Sequence, residues 1–221
     1  MTTKSLLRAE KNSAMGTFLV VDDHEIVRKG VHMIISDLPG THRVLQAATC
    51  KDMMHCLGSE PVDYIILDLL LPDGSSFSTI EKIQEQSPGS SILVYTMNSE
   101  RIYAKRLLQK GIQGFVSKLA PVDELAKAIK SMLAGTVFIS PALTRKDSFM
   151  KEVNVNPIDM LSDRELEVVE LVIAGMGIKE ISNKMDLDIT TVSRFRKRAC
   201  DKFGVDNNIE LKEKFDLYKS M

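Results

Sequence analysis

The chain has 221 residues, room for one large domain or two small ones. Its 44% apolar and 27% charged residues match globular averages, which excludes a disordered, collagenous or rod-like chain, and no apolar run approaches the roughly 20 residues of a membrane span. With 29 Lys and Arg against 30 Asp and Glu the net charge is −1, a total that by itself argues against a nucleic-acid partner. The three cysteines, Cys50, Cys56 and Cys200, are odd in number and form no CxxC, which favours reduced thiols and a cytoplasmic location over disulfides or a zinc site.

Residues 1–16 are polar, carry Lys4, Arg8 and Lys11, lack the apolar core of a secretion signal and read as a flexible tail. From residue 17, short β-branched runs at 17–21, 44–48, 64–69, 92–96 and 114–117 alternate with longer segments of helical spacing. The clearest of these puts Val122, Leu125, Ala126, Ile129, Met132 and Leu133 on one helix face. Strands alternating with helices imply a five-stranded parallel sheet covered on both faces, an α/β domain over 17–136. Residues 137–157 lose the period and read as a linker, with one short helix expected after Pro141. From 158 to 221 only helices are predicted, giving a small all-α domain. Ser162 and Glu165 form a capping box, and Gly175 and Gly177 end that helix. A short helix spans 178–185, Asp188 caps a third that runs to Phe203 and stops at Gly204, and a fourth covers 208–218.

Ligands of a parallel α/β sheet gather at the carboxyl ends of the strands. Asp22-Asp23 follows the first run, Asp68 stands at the end of the third, Thr96 ends the fourth and Lys118 follows the fifth. Three carboxylates packed together repel unless offset, and their oxygens suit a hard cation such as Mg²⁺. The Thr96 hydroxyl and the Lys118 ammonium suit an anion bound beside it. A metal, a nucleophilic carboxylate, a hydroxyl and a Lys together suit phosphoryl transfer, where positioning and charge neutralisation carry the chemistry. Singly each residue has a plainer role as a cap, a strand residue or a solvated charge, so the reading rests on their conjunction at four strand ends.

On the third helix of the all-α domain, 100° per residue puts Val192, Phe195, Ala199 and Phe203 on one side and Arg194, Lys197 and Arg198 on the other. From Arg194 to Lys202 five basic residues accompany one acidic, a local balance of +4 that the chain total conceals. A short helix, a turn at 186–188 and a second helix with a cationic outer face make a helix-turn-helix, whose second helix enters the major groove of double-stranded DNA.

Leu19-Val20-Val21-Asp22-Asp23-His24, the Asp68…Pro72-Asp73-Gly74 turn, Thr96 and Lys118 resemble the receiver domain of bacterial two-component response regulators. Leu161-Ser162-Asp163-Arg164-Glu165, Lys179-Glu180-Ile181-Ser182, Thr191-Val192 and Lys202-Phe203-Gly204-Val205 resemble the LuxR-type DNA-binding domain, and the whole resembles the NarL/FixJ class. The resemblance implies a flavodoxin-like doubly wound sheet in which Asp68 accepts a phosphoryl group from a sensor histidine kinase. Mg²⁺ would be held by Asp22, Asp23, Asp68 and the Leu70 carbonyl, with Thr96 and Lys118 on the phosphoryl oxygens. Phe115 takes the aromatic switch position, following Thr96 inward on phosphorylation, or is a plain core aromatic. In the second domain the resemblance implies Ser193, Arg194 and Lys197 as base readers, Thr191 at the same surface, and Lys179 and Arg198 on phosphates. Ser193 stands where the family often has Lys, and Phe195 where it often has His. Ile209, Leu211, Phe215, Leu217 and Tyr218 of the last helix supply either a dimer surface or core.

The implied protein is a cytoplasmic, phosphorylation-dependent DNA-binding transcription regulator, a homodimer when active, with no membrane partner. It is no enzyme beyond self-dephosphorylation. An aspartyl-phosphate hydrolase would carry a second acid in a DxD arrangement, but Leu69-Leu70 follow Asp68. A pure protein-interaction module would show no salt-dependent DNA binding.

Overall fold

The computed structural model describes residues 16–74, 76–141 and 156–220; the tail expected over 1–16, apart from Gly16, and the short helix expected beyond Pro141 lie outside them. Strands β1 (Thr17–Val21), β2 (Arg43–Ala47), β3 (Tyr64–Leu67), β4 (Ser91–Thr96) and β5 (Gly114–Ser117) form one parallel sheet in the order β2-β1-β3-β4-β5. Helices α1 (Glu25–Ser36), α2 (Cys50–Ser59), α3 (Ser76–Gln86), α4 (Glu100–Gln109) and α5 (Val122–Leu133) alternate with them. This is the flavodoxin-like order, and it reverses between β1 and β3, where such folds open a crevice at the strand ends.

Alternate strand residues serve two cores. Phe18, Val20, Ile66, Leu93 and Val116 pack on α1 and α5 through Val31, Ile35, Leu125 and Ile129. Leu19, Val21, Ile65, Leu67 and Val94 pack on α2, α3 and α4 through Met53, Ile80 and Tyr103. Burial on both faces is why the strands read as unbroken apolar runs. Three strand bounds differ from expectation: β2 lies one residue earlier, β4 begins at Ser91, and β3 stops at Leu67. Beyond Leu67 the chain folds over, and the Leu70 N–H donates to the Asp68 carboxylate at 3.0 Å.

After α5 the chain returns along the free edge of β5. Phe138 bridges Gly114, and its N–H donates to the Gln113 carbonyl at 2.7 Å. A Cβ at residue 114 would meet the Phe138 Cβ at 3.0 Å and its carbonyl oxygen at 3.3 Å, so the glycine permits this approach.

The helical part contains α6 (Pro157–Met160), α7 (Asp163–Ile173), α8 (Ile178–Met185), α9 (Ile189–Phe203) and α10 (Asn208–Ser220). The capping box of α7 forms as read, with Glu165 N–H on the Ser162 hydroxyl and Ser162 N–H on the Glu165 carboxylate, an arrangement worth about 1 kcal/mol. Asp186, with φ of 55°, ends α8; Asp188 accepts the Thr191 N–H at 2.8 Å to start α9; and Gly204, with φ of 61°, ends it. Helix α6 was not foreseen. Asn156 caps it by accepting the Ile158 N–H, and Pro157 sits in the first turn, where a missing N–H costs nothing. The last helix divides its apolar residues. Leu211 and Phe215 close the core beside Phe203, whereas Ile209 and Leu217 stand exposed.

The helical domain packs against α3 and α4, and one core runs through both domains. Arg106 on α4 donates to the carbonyls of Leu161 (2.7 Å) and Ile158 (2.8 Å) and pairs with Asp163 at 3.2 Å. These bonds satisfy carbonyls at the end of α6 and fix the entry to α7.

Candidate functional site

Register builds the rim. Val21 pairs with Leu67, so the next residues, Asp22 and Asp68, stand side by side at the switch point. Leu67 pairs with Val94 and Thr96 with Ser117, and the Lys118 N–H donates to the Thr96 carbonyl at 2.9 Å, which brings both last residues to the same edge. Asp22, Asp68 and Thr96 are buried, and the Lys118 side chain is 9% exposed. Lys118 Nζ lies 2.6 Å from Asp22 Oδ2 and 2.6 Å from Asp68 Oδ2. The Thr96 hydroxyl donates to Asp68 Oδ1 at 2.7 Å, the oxygen that also takes the Leu70 N–H. Burial pushes the Lys118 ammonium down in pKa, but the bonds to Asp22 and Asp68 outweigh it and hold the group above its ordinary value. The rim is thus a charged Lys between two buried carboxylates.

Asp23 lies at the mouth with its side chain 39% exposed. His24 Nδ1 is 2.7 Å from Asp23 Oδ1 and 3.2 Å from Asp22 Oδ1, and the His24 N–H donates to Asp22 Oδ1 at 2.9 Å. Ligand atoms of Asp22, Asp23, His24 and Asp68 lie within 4.8 Å of one another, close enough to share one metal ion. Their carboxylate oxygens fit a hard divalent cation. His24 had no assigned role in the sequence reading, although its position directly after the Asp pair was the available signal. Leu70 follows in the same loop, 52% exposed as a residue, and its N–H bonds Asp68.

On α9, Ser193, Arg194, Lys197 and Arg198 are exposed, and the three cations carry no ion pair among the described residues. Lys179 is exposed on α8. Thr191 is half-buried and already committed as part of the cap, its hydroxyl donating to Asp188 at 2.5 Å. The opposite side buries Val192, Ala199, Cys200 and Phe203, while Phe195 is only half-buried at the margin. Lys202 does not contribute to the cationic face. Its ammonium bonds Glu165 at 2.5 Å and the Met160 carbonyl at 2.9 Å, neutralising a buried carboxylate.

Residues 18–130 match the family model of the response regulator receiver domain, and residues 159–214 match that of the bacterial regulatory proteins of the luxR family. The chain is a response regulator of the NarL/FixJ class. This response regulator is 30% identical over 196 residues to the response regulator GacA of Pseudomonas viridiflava, covering 87% of this chain and 92% of GacA. To UvrY of Escherichia coli K12 it is 28% identical, over 87% of this chain and 90% of UvrY. RcsB of Salmonella typhimurium superposes with a TM-score of 0.77 at 26% identity, over 92% of this chain and 98% of RcsB. RcsB from the same serovar bound to promoter rprA with the phosphomimetic BeF₃⁻ gives 0.76 at 26% identity, over 92% and 99%. Membership makes the chain a regulator rather than a classical enzyme, and no helix among the described residues is long and apolar enough to cross a membrane.

In this response regulator Thr96 is already bonded to Asp68, and Phe115 is already buried at 1% exposure in the core shared with α4.

Proposed function

We propose that Asp68 accepts a phosphoryl group from a sensor histidine kinase and thereby controls how the C-terminal domain binds double-stranded DNA. The observation that carries this is the Asp68 carboxylate held between the Thr96 hydroxyl and the Lys118 ammonium at 2.7 and 2.6 Å, beside Asp22 and Asp23. In the transfer, one Asp68 oxygen attacks phosphorus, the P–N bond of the donor phosphohistidine breaks, and the histidine nitrogen takes the electron pair. Asp22, Asp23, Asp68 and the Leu70 carbonyl would hold Mg²⁺, which supplies neutralisation of the phosphoryl charge. Lys118 exchanges its bond to Asp68 Oδ2 for a phosphoryl oxygen, and Thr96 does the same from Oδ1. Loss of the group is self-dephosphorylation by water at the same carboxylate.

The receiver occupies 17–136 in this reading, the linker 137–157 and the DNA-binding domain 158–221. Arg194, Lys197 and Ser193 reach base edges, and Lys179 and Arg198 reach phosphates. Thr191 orders the start of α9 rather than offering a free hydroxyl. The active form is a homodimer in the cytoplasm, where two weak DNA contacts joined together gain through effective concentration. The promoter complexes of RcsB support the DNA reading. Labelling purified protein from a small phosphodonor with Mg²⁺ tests the acceptor. Asp68→Asn is expected to reduce label to background, and label persisting at the wild-type level means that the acceptor lies elsewhere.

A further inference from the structure

A cleft of about 120 Å³ opens where the two domains meet. Leu69 and Leu71 line it from the receiver, and Leu171 and Ala174 line it from α7 and its C-terminal end. Its lining is mostly apolar, and its volume approaches the roughly 150 Å³ of an engineered apolar cavity that takes up benzene.

Three charged side chains also line this cleft, and two of them are fully engaged. Lys184 of α8 donates to the carbonyls of Leu71 (3.1 Å) and Pro72 (3.3 Å). Glu167 of α7, itself buried, accepts the Phe77 N–H at 2.7 Å and pairs with Arg164 at 3.1 Å. Phe77 is the second residue of α3, a position whose N–H has no partner within its own helix, so Glu167 satisfies an otherwise orphaned donor. Glu170 is engaged at one oxygen only. Its Oε2 accepts the Tyr103 hydroxyl, and its Oε1 has no hydrogen-bond or ion-pair partner among the described residues. The side chain is half-buried, and burial raises its pKa to about 7, the Tyr103 bond and Lys219 offsetting only part of that rise.

These groups decide which occupant fits. Glu167 and Glu170 are matched by three cations, Lys184, Arg164 and Lys219, so an incoming cation finds no unbalanced negative charge. An anion would meet the Glu170 oxygen directly. A neutral molecule avoids both costs: its ring is covered by the leucines, and its one polar hydrogen goes to Oε1. A half-buried acceptor without a donor is costly, and a donor supplied in this less polar setting counts for more than one in bulk water.

We propose that the cleft binds a small neutral molecule, a benzene-sized ring bearing one O–H or N–H group that donates to Glu170 Oε1. Nothing in this depends on Asp68 being the phosphoacceptor, so the site is a separate chemical input to the same chain. Both domains supply its walls, and an occupant therefore favours the arrangement in which they meet.

The test uses the full chain with phenol and toluene as probes, two rings of nearly equal size that differ by a hydroxyl for a methyl. Binding is followed by methyl NMR, and both probes are expected to move the methyl signals of Leu69, Leu71 and Leu171. Glu170→Leu is expected to lower the phenol affinity relative to that for toluene by about tenfold or more, the factor that a hydrogen bond to a charged group carries, and Glu170→Gln, which keeps an oxygen acceptor, to retain most of the preference. Ala174 is exposed, so Ala174→Leu fills the cleft without disturbing the core and is expected to weaken both probes. Methyl signals that stay unmoved at the solubility limit of both probes overturn the site. A phenol-to-toluene ratio unchanged in Glu170→Leu overturns the donor assignment, and binding undiminished in Ala174→Leu overturns the location.

Discussion

Asp22 and Asp68 are buried, and each has the Lys118 ammonium within 2.6 Å, whereas Arg194, Lys197 and Arg198 stand exposed along α9 with no acidic partner among the described residues. The two charged regions of this response regulator therefore meet their ligands differently. On the proposed reading, a phosphoryl group entering the rim must exchange partners with charges already paired with one another, so binding draws on preorganisation and responds little to salt. Along α9 the cations are solvated, and on the same reading their contact with DNA would release condensed counterions, so binding would respond steeply to salt. The net charge of −1 averages these two situations and describes neither.

Removing the rim's cation is expected to give the largest effect. Lys118→Met leaves two carboxylates buried side by side, a loss of about 3–5 kcal/mol in urea unfolding. Saturating Mg²⁺ is expected to restore much of it, and a variant as stable as wild type without Mg²⁺ would show that the rim does not depend on its internal pairing. No internal pair is broken among the described residues by Lys179→Ala with Arg198→Ala, the proposed phosphate contacts, and this pair is expected to leave stability unchanged. DNA affinity should fall by about 2 kcal/mol, roughly thirtyfold, and the slope of log affinity on log salt should become shallower by about two. A slope that does not move would place the DNA contacts elsewhere.

The smallest effect concerns the seam between the regions. Glu170 on α7 accepts the Tyr103 hydroxyl, and burial raises its pKa to about 7 from 4.5, with Glu167 adding to the rise and the Tyr103 bond and Lys219 opposing it. A carboxyl whose pKa is higher in the docked state binds its proton more tightly there. Docking is therefore strongest below about pH 4.5, weakens as pH rises toward about 7, and is constant above that. Glu170→Gln keeps an acceptor for Tyr103 and is expected to flatten this dependence, read between pH 5 and about 8 as exchange of the Phe77 N–H, which donates to Glu167 of α7 across the same contact, after correction for the intrinsic rate.

Much of the rim was legible because strand ends are where a parallel sheet gathers chemistry, and Asp22, Asp68, Thr96 and Lys118 each follow an apolar run directly. The α9 stripe was legible from the helical period. Lys202 counts in the local balance of +4 and yet adds nothing to the cationic face, because a charge sum gives number and not partners. Its long stem folds back to the buried carboxylate that the α7 capping box leaves beside it. Lys184, Glu167 and Arg106 were invisible for a related reason. Each acts across the contact between domains, and no period along the chain encodes where a second domain docks.

The pairing of Phe138 with Gly114 has a practical consequence. β5 is an outer strand of the sheet, and an outer strand with unpaired backbone groups is a template for association with other chains. Here the first residues after α5 occupy part of that edge. A receiver fragment cut at residue 136, where the loss of helical period suggests a boundary, would bare the Gln113 carbonyl and the backbone of Gly114. One carried through Ser140 would keep the edge covered, and the two fragments should differ in how readily they self-associate at high concentration.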